Sequence, residues 1–151
     1  MKRFFFTLIL FLILTNCDFR PIYSTEKINF SVKEIIVNDS NKLNKSLAKS
    51  LNFLTEIQNT NQLILNININ KSIEIKTRNS KGDPEIFEMI LILEIQTSNK
   101  DNIINTKNLR RNINYNNNSD KFKLNQYEKD LEEILLSKLV EDVLKYLSNL
   151  Q

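Results

Sequence analysis

From Leu63 to Lys76 the chain alternates apolar and polar residues with a period of two. Leu65, Ile67, Ile69, Ile73 and Ile75 share one face, Asn66, Asn68, Asn70, Ser72, Glu74 and Lys76 the other, and only Lys71 breaks the apolar side. Such a run reads as a long half-buried strand. Its apolar face has to be covered by a second layer, which excludes a purely helical chain.

The segments around it supply that layer. Asn79-Ser80-Lys81-Gly82-Asp83-Pro84 holds the only Gly of the chain beside one of its two Pro, and marks a turn. Phe87, Met89, Leu91, Leu93 and Ile95 then alternate in a second strand, with Ile90 and Ile92 on its opposite face. Apolar residues on both faces predict a central position in the sheet. After a turn at Ser98 to Asn102, Leu109, Arg111, Ile113 and Tyr115 give a more polar strand, expected nearer an edge. Upstream, Ile28, Phe30 and Val32 alternate and the phase shifts to Ile35 and Val37, which predicts a strand with a bulge or an end near Lys33.

Between these strands, Leu43, Leu47, Leu51 and Leu54 recur at helical spacing, so a helix is expected near 41–57, capped by Asp39 or Ser40 and broken at Asn59-Thr60-Asn61. Residues 122–149 carry the longest helical pattern, with Tyr127, Leu131, Leu135, Leu139, Val143 and Leu147 among its apolar positions. The order βαβββα predicts an α+β two-layer sandwich: a four-stranded, mostly antiparallel sheet covered by two helices.

The first residues, MKRFFFTLILFLILTNC, combine a basic start with a short apolar run and then the only cysteine, Cys17. The run suits the h-region of a signal peptide, whereas a spanning helix needs ~20 apolar residues. Leu14-Thr15-Asn16-Cys17 resembles the lipobox of bacterial lipoproteins, with Asn16 where a small residue is usual. The expected organisation is a signal peptide at 1–16, a lipidated tether at 17–26 and one domain at 27–151. An ordinary signal peptide with an unmodified Cys17 is the other reading. Asp18 after the cysteine resembles an inner-membrane retention signal.

Composition narrows the chemistry. The chain has no His, no Trp, one Cys and one Gly, so the usual zinc site, serine triad or phosphate loop has no parts. No enzyme activity, metal or cofactor is expected. Of 21 basic and 18 acidic residues, Lys2 and Arg3 lie in the leader, which leaves +1 on the remainder and no argument for nucleic acid. The many asparagines fit AT-biased codons and carry little weight singly. Glu128, Asp130, Glu132 and Glu133 read as dipole-compensating surface at the start of the last helix. Arg78 and Lys81 approach the Gly82 turn, Arg110 and Arg111 lie on the third strand of the meander, and the four are expected to gather along one sheet region. The guanidinium forks of the three arginines suit the phosphates of a lipid head group; the plainer reading is a solvated face.

The two ends of the chain carry a resemblance. CDFRPIY at Cys17 to Tyr23 resembles the CGFxPLY start of the LPS-assembly lipoprotein (LptE) family, with Asp18 for Gly and Ile22 for Leu. Ile113 to Leu147 is similar to that family's last strand and long terminal helix. The resemblance implies a lipoprotein lipid-anchored at Cys17 on the periplasmic face of the outer membrane of a Gram-negative cell. It implies that the protein plugs and helps assemble the lipopolysaccharide-translocating β-barrel, its LptD partner, and binds lipopolysaccharide. The alternative is a periplasmic auxiliary lipoprotein of an inner-membrane lipid transporter.

Overall fold

The computed structural model describes residues 31–39, 41–57, 62–99 and 102–150. The expected signal peptide at 1–16, the tether with Cys17, Ile28, Phe30, Ser40 and the Asn59-Thr60-Asn61 break lie outside them.

Strand β1 (Ser31–Val37) leads to helix α1 (Lys42–Leu51) and a 3₁₀ turn (Asn52–Thr55). Strands β2 (Gln62–Arg78), β3 (Pro84–Asn99) and β4 (Asn102–Asn116) follow, and helix α2 (Lys121–Ser148) closes the chain. The sheet order is β1-β2-β3-β4. β1 and β2, joined through α1, run parallel, while β2, β3 and β4 form an antiparallel meander. The expected α+β sandwich, the central β3 and the edge β4 are all present. The irregularity expected near Lys33 is a register shift between Val32 and Glu34.

Some boundaries differ from those read in the sequence. The helix expected over 41–57 is α-helical only to Leu51, and its tail tightens into the 3₁₀ turn that carries Leu54 into the core. The three-residue step from Leu51 to Leu54 matches the 3₁₀ period, whereas the four-residue steps before it do not. The cap of α1 is Asn41 rather than Asp39, with Asn41 Oδ1 accepting the N–H of Asn44 at 2.8 Å. Asp39 instead accepts from the Asn41 amide group at 3.2 Å.

Helix α2 is capped by Asp120, whose carboxylate accepts from the N–H groups of Phe122 and Lys123. Leu131, Leu135, Leu139, Val143 and Leu147 are all buried on it. Each four-residue step overshoots one turn by about 40°, so the stripe winds roughly 160° around the axis from Leu131 to Leu147. That winding lets a straight helix keep contact with a twisted sheet. Tyr127 is half exposed, with its ring edge-on to Tyr115 at 6.2 Å.

The sheet face under the helices carries Leu65, Ile67 and Ile69 of β2, Met89, Leu91, Leu93 and Ile95 of β3, and Tyr115 of β4, all in one core with the helix leucines. The expected β2 face is buried only along its first half. Ile73 and Ile75 are 41% and 42% exposed, because β1 pairs no further than Ile67 and β2 runs on past it. Lys71, the polar residue on that face, sits where the cover ends and pairs with Glu132 of α2 at 2.7 Å.

Candidate functional site

No described element covers the opposite face of the sheet. Strand alternation places Asn66, Asn68, Asn70 and Ser72 of β2, Glu88, Ile90, Ile92 and Glu94 of β3, and Asn108, Arg110, Asn112 and Asn114 of β4 on it. Ile90, between Ser72 and Asn112, is 4% exposed, while Ile92, between Asn70 and Arg110, is 41% exposed. The expected burial of β3 on both faces therefore holds for Ile90 and not for Ile92. Polar strands flank a short apolar centre, a surface suited to a hydrogen-bonding wall.

Glu88 is the buried ionisable group of this face. Lys76 Nζ lies 2.9 Å from one carboxylate oxygen, and the Asn112 side chain donates to the other at 2.6 Å. The Lys76 hydrogen bond holds the carboxyl below its ordinary value of 4.5, against burial, with Asn112 and the charges of Lys76 and Arg110 adding to it. A lowered folded-state value means that the network's contribution to stability is complete above about pH 4.5 and is lost as pH falls through the lower folded value. Glu88→Gln should therefore remove part of the acid sensitivity of unfolding below that pH. Parallel stability curves for wild type and Glu88→Gln down to acid pH would refute the assignment.

At the far end of β2 and β3 the Gly82 turn projects as a hairpin tip. Gly82 has φ +87°, in the left-handed region open to glycine. Asn79 organises the turn: its side-chain oxygen accepts from the N–H groups of Lys81 and Asp83, each at 2.9 Å. Arg78 donates to the Gly82 carbonyl at 2.8 Å, and the Lys81 ammonium has no partner among the described residues.

The four basic residues do not form one cluster. Arg78 lies opposite Pro84 and Arg110 opposite Ile92, so the pairs are separated by roughly 26 Å of strand. Arg110 and Arg111 face opposite sides of the sheet, as neighbours in a strand must, and this signal was present in the sequence. Arg110 stands on the open face. Arg111 turns to the helix side, where its fork donates twice to Asp142 at 2.6 Å each, and this pairing raises its pKa.

The acidic residues of α2 lie past its first turn, so they do not compensate its dipole as expected from the sequence; Asp120 at the cap takes that position. Glu128 accepts the Tyr115 hydroxyl at 2.6 Å, and burial, reinforced by this bond, raises the tyrosine pKa. Glu132 holds Lys71. Together with Asp142 these carboxylates tie helix to sheet. Among the described residues no group of three acidic, His or Cys side chains could hold a metal ion.

Along β4, beside the end of α2, lies an open groove of about 710 Å³. Lys107, Leu109, Arg111, Asp142, Tyr146 and Leu150 are among the residues that line it. The hydroxyl of Tyr146 is buried without a partner.

No protein-family model and no curated protein sequence matches the chain. Solved structures do match its fold. The rare lipoprotein B of Shewanella oneidensis superposes with a TM-score of 0.60 at 12% identity, over 80% of this chain and 93% of that one. A minor lipoprotein of Acinetobacter baumannii gives 0.61 at 13% identity, over 81% and 92%. Lipoprotein B of Nitrosomonas europaea gives 0.60 at 12% identity, over 85% and 91%. At such identities the likeness is one of fold, and it extends over nearly the whole of each neighbour.

Proposed function

We propose that this chain is a lipid-anchored, non-enzymatic plug of the lipopolysaccharide-translocating β-barrel, LptD-like, at the periplasmic face of the outer membrane. The observation that carries the reading is the coincidence of two independent signals. The lipobox and CDFRPIY at Cys17 to Tyr23 resemble the LptE family, and the described domain shares its fold with rare and minor lipoproteins that have the LptE fold.

The surface suits the task. A barrel lumen is walled by polar side chains, and the open sheet face offers asparagines on β2 and β4 around a small apolar centre. No helix among the described residues is long and apolar enough to cross a membrane, and attachment is proposed through an acylated Cys17. Binding of lipopolysaccharide phosphates is assigned to Arg78 and Lys81 at the hairpin tip and to Arg110 on the open face. Arg111 is engaged by Asp142 and contributes by fixing β4 against α2.

Affinity purification of the full chain from solubilised membranes tests the reading. The expected result is a stoichiometric large β-barrel with lipopolysaccharide, and an intact mass of residues 17–151 plus acyl groups. Recovery of an inner-membrane ATPase complex instead would establish the alternative transporter subunit, to which Asp18 points. An unmodified Cys17 thiol would remove the anchor.

A further inference from the structure

We propose that the free edge of β4, together with the groove under the end of α2, is a docking site for an extended acidic segment of a partner protein, which adds to the sheet as a fifth strand. β4 ends the sheet order, so no described strand lies along its outer side. It is 15 residues long and contains no proline, and from Asn105 to Asn116 its register with β3 is unbroken. Natural edges of that length are ordinarily shortened, bulged or covered. The other two edges of this sheet are treated so. β1 is short and carries a register shift, and the first uncovered N–H of β2, at Ile69, donates to the buried Asn44 side chain at 2.8 Å.

The direction of the backbone groups follows from one hydrogen bond. Asn117 donates its N–H to Glu85 of β3 at 2.8 Å, and in an antiparallel strand alternate residues point the same way. Odd-numbered residues of β4 therefore bond to β3. Thr106, Asn108, Arg110, Asn112 and Asn114 turn their N–H and C=O groups outward. The side chains divide by the same alternation: Lys107 and Leu109 point to the helix side of the sheet and Asn108 and Arg110 to the open side, and all four residues border the groove. An incoming strand would lay alternate residues into the groove against Leu109, Tyr146 and Leu150. Main-chain bonding along an edge, with a helix-walled groove for side chains, is an established mode of strand addition.

Charge selects the occupant. Between Asn102 and Asn116 the strand holds Lys107, Arg110 and Arg111 and no acidic residue. Among the described residues only Arg111 of these three forms an ion pair, while Arg110 stands near enough to Glu88 for their charges to interact. Antiparallel pairing with a second copy of β4 would bring these cations together. The chain's own residues 18–30 contain Asp18 and Glu26 against Arg20 and Lys27 and so offer no net complement. A partner strand with an acidic residue beside Arg110 on the open side, and another beside Lys107 among apolar residues in the groove, satisfies both faces. The inference is independent of the barrel reading, since it concerns one edge of this chain whatever membrane holds it.

The test is amide hydrogen exchange at single-residue resolution on the full chain in detergent, with a synthetic peptide of alternating Glu and Val as the probe. Protection should rise at least about tenfold at the amides of Thr106, Asn108, Arg110, Asn112 and Asn114, with Lys107, Leu109 and Arg111 unchanged. The same peptide N-methylated at alternate nitrogens, and a Lys/Val peptide, should do nothing, and Arg110→Glu should weaken the Glu/Val peptide about tenfold. Equal effects from the N-methylated peptide would mean electrostatic association without strand addition, and would overturn the proposal. So would protection of the even-numbered amides before peptide is added, whether it depends on protein concentration, as for a second copy, or not, as for the chain's own N-terminal segment.

Discussion

Replacing Leu139 with Ala should lower the free energy of unfolding by about 2 to 5 kcal/mol, and Leu135→Ala by a similar amount. Leu139 is fully buried and Leu135 nearly so, in the middle of the winding stripe that α2 lays over the sheet. Removing the isobutyl group loses its transfer free energy and leaves a hole that the surrounding side chains fill only in part. The helix cannot shift to close the hole, because Tyr115–Glu128, Lys71–Glu132 and Arg111–Asp142 fix it to three strand positions. Ile134, on the same helix and 45% exposed, is the internal control: Ile134→Ala should stay within about 0.5 kcal/mol. Urea midpoints of the three variants decide the matter. Unchanged midpoints for both leucine variants would show that α2 is not part of the cooperative core.

Asn44→Ala should cost about 2 to 4 kcal/mol. Asn44 is fully buried. Its side-chain oxygen accepts from the Ile69 N–H and its amide group donates to the Asp39 carbonyl, both at 2.8 Å. It therefore joins the end of β1, the first turn of α1 and the point where β2 runs past β1. Truncation leaves a buried backbone donor and a part-buried acceptor unpaired, at about 1 to 3 kcal/mol each. Exchange of the Ile69 amide is a second readout. It should be slow in wild type and accelerate beyond the global loss of stability in Asn44→Ala. An Ile69 amide that exchanges no faster than its neighbours in that variant would place the cost elsewhere.

The alternation of Leu63 to Lys76 and of Phe87 to Ile95, the single Gly at a turn and the leucine stripe of the last helix determined the element order, the meander and the central place of β3. These are local consequences of period and turn chemistry, and a packed interior adds nothing to them. They also determined that Arg110 and Arg111 could not share a face. What they could not determine was how much of each apolar face finds a cover. Ile73 resumes the pattern of Ile69 after Lys71, yet Ile69 is buried and Ile73 is not, because β1 stops at the level of Ile67. The same limit hid Asn44 among many asparagines, since its importance comes from a backbone N–H that only the mismatch in strand lengths leaves unpaired. Glu88 likewise reads as a solvent-side carboxylate until Lys76 and Asn112 close over it from the neighbouring strands. Periodicity fixes which way a side chain points. Which neighbour meets it depends on register and on where elements end, and those are settled only when the layers come together.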